Sequence, residues 1–167
     1  MNMHRKATAQ SIFVILVILL NACHSNLNEV IITSPNNINI VTILIDEGEL
    51  LYQVNHEKKP IILPSQLGFL FKEGLSFSNG FKIEGTKFSK VDEFWEQPWG
   101  AVKTIRNHYQ EAVISLSSLS DPEYQMDLMV RAYDDGIAFR YFVQDLGDIK
   151  TVVIQDELTE FNLAEDA

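Results

Sequence analysis

The sequence predicts an all-β protein, an antiparallel β-sandwich, and three observations carry that expectation. Apolar residues recur with a period of two along most of the chain, as side chains do on alternate faces of a strand. Turn-forming clusters divide the apolar runs at hairpin spacing. Beyond the first two dozen residues no window shows apolar residues at helical spacing, and there is no internal repeat or low-complexity segment.

The N-terminus reads as an address rather than as structure. His4, Arg5 and Lys6 precede the uncharged apolar run SIFVILVILL (11–20), which is shorter than the ~20 apolar residues that span a bilayer. Leu20-Asn21-Ala22-Cys23 is similar to the lipobox of bacterial lipoproteins, where cleavage precedes a cysteine that is then acylated. Cys23 is the only cysteine of the chain, so it has no internal disulfide partner, and acylation gives it a use. Several acyl chains, each CH₂ worth ~0.8 kcal/mol, hold a protein on a membrane without spanning it. The competing reading is a short anchor or a cleaved non-lipid signal with an incidental cysteine. The expected organisation is a lipoprotein signal peptide at 1–22, a polar tether at 23–37 and a β-sandwich domain at 38–167. The expected location is the cell envelope, on the periplasmic side or the outer membrane.

Within the domain, INIVTILI (38–45) and LLYQV (50–54) flank Asp46-Glu47-Gly48-Glu49, a connection that suits a hairpin. IIL (61–63) and LGFLF (67–71) are short runs bounded by Pro60 and Pro64, and GFKIEGTKF (80–88) alternates with a break at Gly85. AVISLSSL (112–119) leads into QMDLMVRAY (125–133), which sets Met126, Leu128, Val130 and Ala132 on one face. IAFRYFVQ (137–144) returns after Asp134-Asp135-Gly136. Apolar residues on both faces of the last two strands suggest a sheet covered on both sides.

Composition and motifs exclude several classes of chemistry. The formal charge is −10, and −12 once Arg5 and Lys6 leave with the signal, which argues against nucleic acid as a partner. His4, His24, His56 and His108 form no zinc-type pair, and no Gly-x-Ser-x-Gly elbow or phosphate-binding glycine loop occurs. Carboxylates are plentiful, but the separation that glycoside hydrolysis needs is not readable in one dimension.

WEQPWGAVKTIRNHYQE (95–111) holds both tryptophans of the chain. Pro98 keeps Trp95 and Trp99 out of a regular helix and assigns them to a loop or strand end. Exposed aromatic rings there would stack on sugar rings while Arg106, Asn107 and His108 hydrogen-bond hydroxyls. Equally, both tryptophans could cap the sandwich core while the Arg-Asn-His-Tyr run packs locally.

The chain resembles the N-terminal domain of glycoside hydrolase family 97, the bacterial α-glucosidases and α-galactosidases. The resemblance rests on an ordered series: Ser34-Pro35, KPIILPSQLGF (59–69), WEQPWG with IRNHYQE, DDGIAFRY (134–141) and DELTEF (156–161). It implies a galactose-mutarotase-like supersandwich that this sequence leaves incomplete, followed in the family by a catalytic (β/α)₈ barrel. Catalytic carboxylates and a calcium ion belong to the complete family enzyme and have no matching positions here, so no catalytic or metal-binding residue is assigned and no cofactor is expected in this chain. Ala101 stands where the family commonly has Glu, and Gln110 where it has Asn. Trp95, Trp99, Arg106, Asn107, His108, Tyr109 and Glu111 are the expected carbohydrate-binding or barrel-interface residues. The resemblance implies an α-glucoside or α-galactoside as ligand and a chain that is inactive alone. A free-standing carbohydrate-binding lipoprotein and a non-functional gene fragment are the alternatives.

Overall fold

Two-residue alternation sorts the chain into strands that each present one apolar face, and burial of those faces against each other builds a sandwich. The computed structural model describes residues 28–72, 76–77, 79–119, 124–143 and 151–165, and among them it contains strands and no helix. The first sheet runs β1 (Glu29–Thr33), β2 (Asn39–Asp46), β3 (Glu49–His56) and β4 (Lys59–Gln66) in that order, all antiparallel. The second holds β7 (Phe81–Glu96), β8 (Thr104–Ser118), β9 (Gln125–Tyr133) and β10 (Gly136–Val143), ordered β10-β9-β8-β7. A small third sheet joins β5 (Phe69–Phe71), β6 (Ser76–Phe77) and β11 (Ile154–Glu157).

The hairpins follow from backbone sterics. Glu47 and Gly48 connect β2 to β3 with φ of 48° and 89°, and Glu57 and Lys58 connect β3 to β4 with φ of 49° and 69°. Two successive left-handed residues match the twist of the flanking strands. Glu29–Thr33, inside the stretch read as a tether, is strand β1, and it buries Val30 and Ile32. β4 runs through Pro60 and Pro64, which the sequence reading took as boundaries. Both fall beside irregularities in the β3–β4 ladder, where a missing N–H costs least.

The core lies between the first two sheets. Val41, Ile43, Leu50, Tyr52 and Val54 meet Ala112, Ile114, Leu116, Met126, Leu128, Val130 and Ala132, all buried. Phe71, Phe77 and Phe81 close one end through edge and stacked ring contacts. The opposite face of β9 and β10 is not covered by any described element: Arg140 and Phe142 are exposed, and Met129 and Arg131 are half-buried. The expectation of a sheet covered on both sides therefore does not hold for the described residues.

Two devices tie the layers together. The segment containing DELTEF lies along the free edge of β4, with Leu63 N donating to Asn162 O (2.8 Å), Glu160 N to Gln66 O (3.0 Å) and Ala164 N to Ile61 O (3.2 Å). It thereby satisfies backbone groups that an open edge would offer to another chain. At the other end Asn39, 4% exposed, donates from Nδ2 to Tyr133 O (2.8 Å) and Asp134 O (3.2 Å). Its Oδ1 lies 2.6 Å from His56 Nδ1, which must then carry the hydrogen. One amide thus joins β2, β3 and the β9–β10 turn.

Replacing Asn39 with Ala strands two carbonyls and a ring N–H, and the expected cost is about 2–3 kcal/mol of unfolding free energy. Chemical denaturation measures it, and a loss below about 0.5 kcal/mol, the size of an ordinary surface change, would show that the clamp is not needed.

Candidate functional site

β8 is fifteen residues long and β9 nine, and this mismatch creates the candidate site. β9 pairs with β8 only from Tyr109 to Ser117, whereas β7 continues to pair with β8 down to Glu96↔Thr104. The five pairs from Asp92↔His108 to Glu96↔Thr104 therefore form a two-stranded arm, ~17 Å long at ~3.4 Å per residue, carried past the edge of the sandwich.

The tip of the arm is a loop, residues 97–103. Gln97 N donates to Lys103 O (3.0 Å), and the Gln97 side-chain amide donates to Val102 O. Gly100, at φ 133°, permits this crossing, since a Cβ there would sit 2.5 Å from Gln97 Nε2. Pro98, Trp99 and Gly100, with Glu96, Gln97 and Lys103, line an open cleft of ≈ 350 Å³. Trp99 is 83% exposed and Trp95 50%, so neither caps the core.

Alternation along β8 divides the remaining residues. Ala112, Ile114 and Leu116 face the core, so Arg106 and His108 lie on that inner face of the arm and Asn107, Tyr109 and Glu111 on the outer one. Arg106, Asn107 and His108 thus do not converge on one ligand, and the Arg-Asn-His-Tyr run is strand rather than loop. The structure brings together two separate sets.

On the inner face Arg106 grips Asp92 with both ends of its fork, Nε to Oδ1 and Nη2 to Oδ2, each at 2.8 Å. The guanidinium carbon lies 5.8 Å from the centre of the Phe94 ring, and His108 Nε2 is 3.9 Å from Asp92 Oδ2. The hydrogen bonds from Arg106 hold the Asp92 carboxyl below its usual range, and Asp92 in turn raises Arg106. Phe88 and Phe94, absent from the sequence-derived set, are exposed on this face. The even spacing of Phe88, Asp92 and Phe94, which puts all three on one face of β7, is the sequence signal for them.

On the outer face Asn107 Nδ2 donates to Glu93 Oε1 (2.7 Å), and Arg131 Nε donates to Glu111 Oε2 (2.7 Å). Arg131 covers the Tyr109 ring at 4.3 Å, and the Tyr109 and Tyr133 rings are 5.1 Å apart. Burial raises the Tyr109 hydroxyl pKa, and the Glu111 hydrogen bond raises Arg131. Tyr109 and Glu111 are therefore committed to a packed stack, and Trp95 and Asn107 are the members of this face left at the surface. Among the described residues no three His, Cys, Asp or Glu side chains are grouped so as to hold a metal ion. Cys23 lies outside the described residues.

The family model for the glycosyl-hydrolase 97 N-terminal region matches residues 32–167. A retaining α-galactosidase from Bacteroides thetaiotaomicron is 26% identical over 132 residues, which is 79% of this chain and 19% of that protein. A family 97 glycoside hydrolase from a Pseudoalteromonas species, solved with panose, superimposes with a TM-score of 0.77 at 28% identity, over 81% of this chain and 20% of its own. A crystal structure of a β-arabinopyranosidase shares the fold, with a TM-score of 0.75 at 23% identity over 81% of this chain and 21% of its own. The chain spans about a fifth of the length of these relatives.

A carboxyl whose folded pKa is depressed adds stability above its unfolded value, ~3.9 for Asp, and that contribution is lost as pH falls through the folded value. Arg106→Gln is expected to move the Asp92 titration upward, read by carboxyl ¹³C shifts. An unchanged Asp92 midpoint would mean that the fork does not persist in solution.

Proposed function

We propose, from the premise that this chain belongs to the glycosyl-hydrolase 97 N-terminal family, that it serves as the sandwich module of an α-glycosidase, supporting carbohydrate binding and packing against a catalytic barrel. The observation that carries the reading is the arm: a two-stranded ribbon is marginal in water by itself, yet this one exposes Phe94, Trp95, Trp99 and Val102, with Phe88 exposed at its base. Large aromatic groups displayed on both faces and the tip of a projecting ribbon suit burial against another body. The inner face, where the exposed Phe94 ring lies beside the locked Arg106–Asp92 pair, suits protein. The tip cleft at Trp99, edged by the Glu96 and Lys103 ion pair (3.2 Å), suits a sugar ring stacked on indole with hydroxyls on the charged groups.

The same cleft supports the second reading, a free-standing carbohydrate-binding lipoprotein, because Trp99 needs no other domain to be accessible. In both readings Cys23 carries the lipid that holds the protein to the cell envelope, and loss of detergent-phase partitioning in Cys23→Ser tests this. The relatives act on an α-galactoside or bind panose by their descriptions, so an α-glucoside or α-galactoside is the ligand class proposed here. Calcium enters only with a barrel, and this chain performs no hydrolysis.

Malto-oligosaccharide or α-galactoside binding, followed by calorimetry, is expected to weaken at least ~10-fold, about 1.4 kcal/mol, in Trp99→Ala. The thermal transition should be unchanged because Trp99 is exposed. Equal binding by both proteins would remove the tip from the site. Turnover of an aryl α-glycoside that depends on a carboxylate of this chain would overturn the reading of an inactive module.

A further inference from the structure

On the uncovered face of the second sheet, Met129, Arg131, Tyr133, Ala138, Phe139 and Arg140 line a groove of ≈ 130 Å³. Its shape follows from the register. Ala138 lies opposite Arg131, and Arg140 lies opposite Met129. The two arginines are therefore diagonal neighbours, ~7–8 Å apart at the backbone, with Ala138 and Met129 at the other two corners.

The two guanidiniums are in different states. Arg131 spends Nε on Glu111 and rests on the Tyr109 ring, which fixes its position. Arg140 is exposed, and its Nε is aimed at the Met129 sulfur at 3.1 Å. A thioether is a weak acceptor, so the strongest donor group of the groove has a partner far below its capacity. No carboxylate pairs with Arg140 among the described residues, although the chain carries twenty-three Asp and Glu. A planar fork with free Nη groups, beside a second fixed fork, matches a carboxylate, which accepts two parallel hydrogen bonds. Met129 and the Ala138 methyl supply an apolar floor for the C–H face of a ring, and Tyr133 supplies an aromatic wall.

We propose that this groove binds an acidic monosaccharide, a hexuronate, through its carboxylate at Arg140 with Arg131 as the second contact. The anion preference stands on the groove alone, and the saccharide assignment rests on the function proposed above. Since the protein as a whole is acidic, attraction acts only at short range and weakens as salt rises.

The test is a titration of the protein with D-glucuronate and D-galacturonate, with D-glucose and acetate as parallel probes, followed through the Met129 methyl and arginine Nε–H resonances. Saturable shifts with either uronate, at least ~10-fold weaker in Arg140→Gln and partly restored in Arg140→Lys, are expected. Ala138→Leu, which fills the floor and keeps both charges, should also abolish them. Absence of saturation, or shifts that persist in Arg140→Gln and Ala138→Leu, would overturn the site. Acetate binding as tightly as the uronates, or glucose binding equally, would overturn the assignment to an acidic sugar. The Trp99 indole resonance reports the arm tip separately, so failure here is distinguishable from failure of the module's proposed function.

Discussion

The register of β8 against the core decides everything at the candidate site. Ala112, Ile114 and Leu116 are fully or almost fully buried, so slipping β8 by one residue would carry three core side chains into water and bring polar ones inward. That cost fixes the orientation of the strand for its whole length, including the part that has left the core. Arg106 faces inward and Asn107 outward because Ile114 is eight residues from one and seven from the other. The arm inherits its chemistry from packing that it does not itself take part in.

What the arm lacks is a second layer. Within the sandwich β8 is paired on both sides, by β7 and by β9, and covered by the first sheet. Past Tyr109 it keeps only β7. Cross-strand pairs then take over: Arg106 with Asp92 and Asn107 with Glu93. Pairs of this kind are screened at the surface and hold the ribbon's shape more than they stabilise the fold. The charges also have a protective effect. Lys82, Lys87 and Lys90 along β7, an edge strand among the described residues, discourage pairing with another chain at an edge that is otherwise long and regular.

Much of this was legible in one dimension. The alternation of Met126, Leu128, Val130 and Ala132 predicts the buried face of β9, and the clusters at 46–49 and 134–136 predict two hairpins, because both signals are local. The losses have identifiable causes. β1 reads as tether because Val30, Ile31 and Ile32 are a short apolar run in a polar setting, and the burial of Val30 and Ile32 depends on β2 lying beside them. β4 was divided at its prolines, whose tolerance depends on irregular pairing with β3. β8 was begun at Ala112 because residues 104–111 lack an apolar alternation, having no core to face. The seven site residues were read as one set since adjacency in sequence stands in for adjacency in space, and in a strand it does the reverse. The resemblance points to a segment but carries no information on which face each residue takes.

The two faces of the second sheet also differ in how much freedom their charges keep. Asp92 and Glu111 are each engaged with an arginine and Glu93 with the Asn107 amide, so the acidic side chains nearest the arm already hold partners despite the net charge of −10. An ion pair or hydrogen bond that is already closed offers a ligand little, since it must be broken before a new contact forms. Recognition therefore falls to groups whose interactions are incomplete: aromatic rings in water, and a guanidinium resting on sulfur. Trp99 and Arg140 meet that description, one on the β7–β8 ribbon that extends beyond the core and the other in the middle of the opposite edge strand, β10. The first sits at the tip of a ribbon that has no second layer, while the second stands on a strand packed over the core and paired with β9 by eight consecutive pairs. Contacts made at the tip are accordingly the ones a docked body could reposition, and contacts made in the groove are set by the sandwich alone.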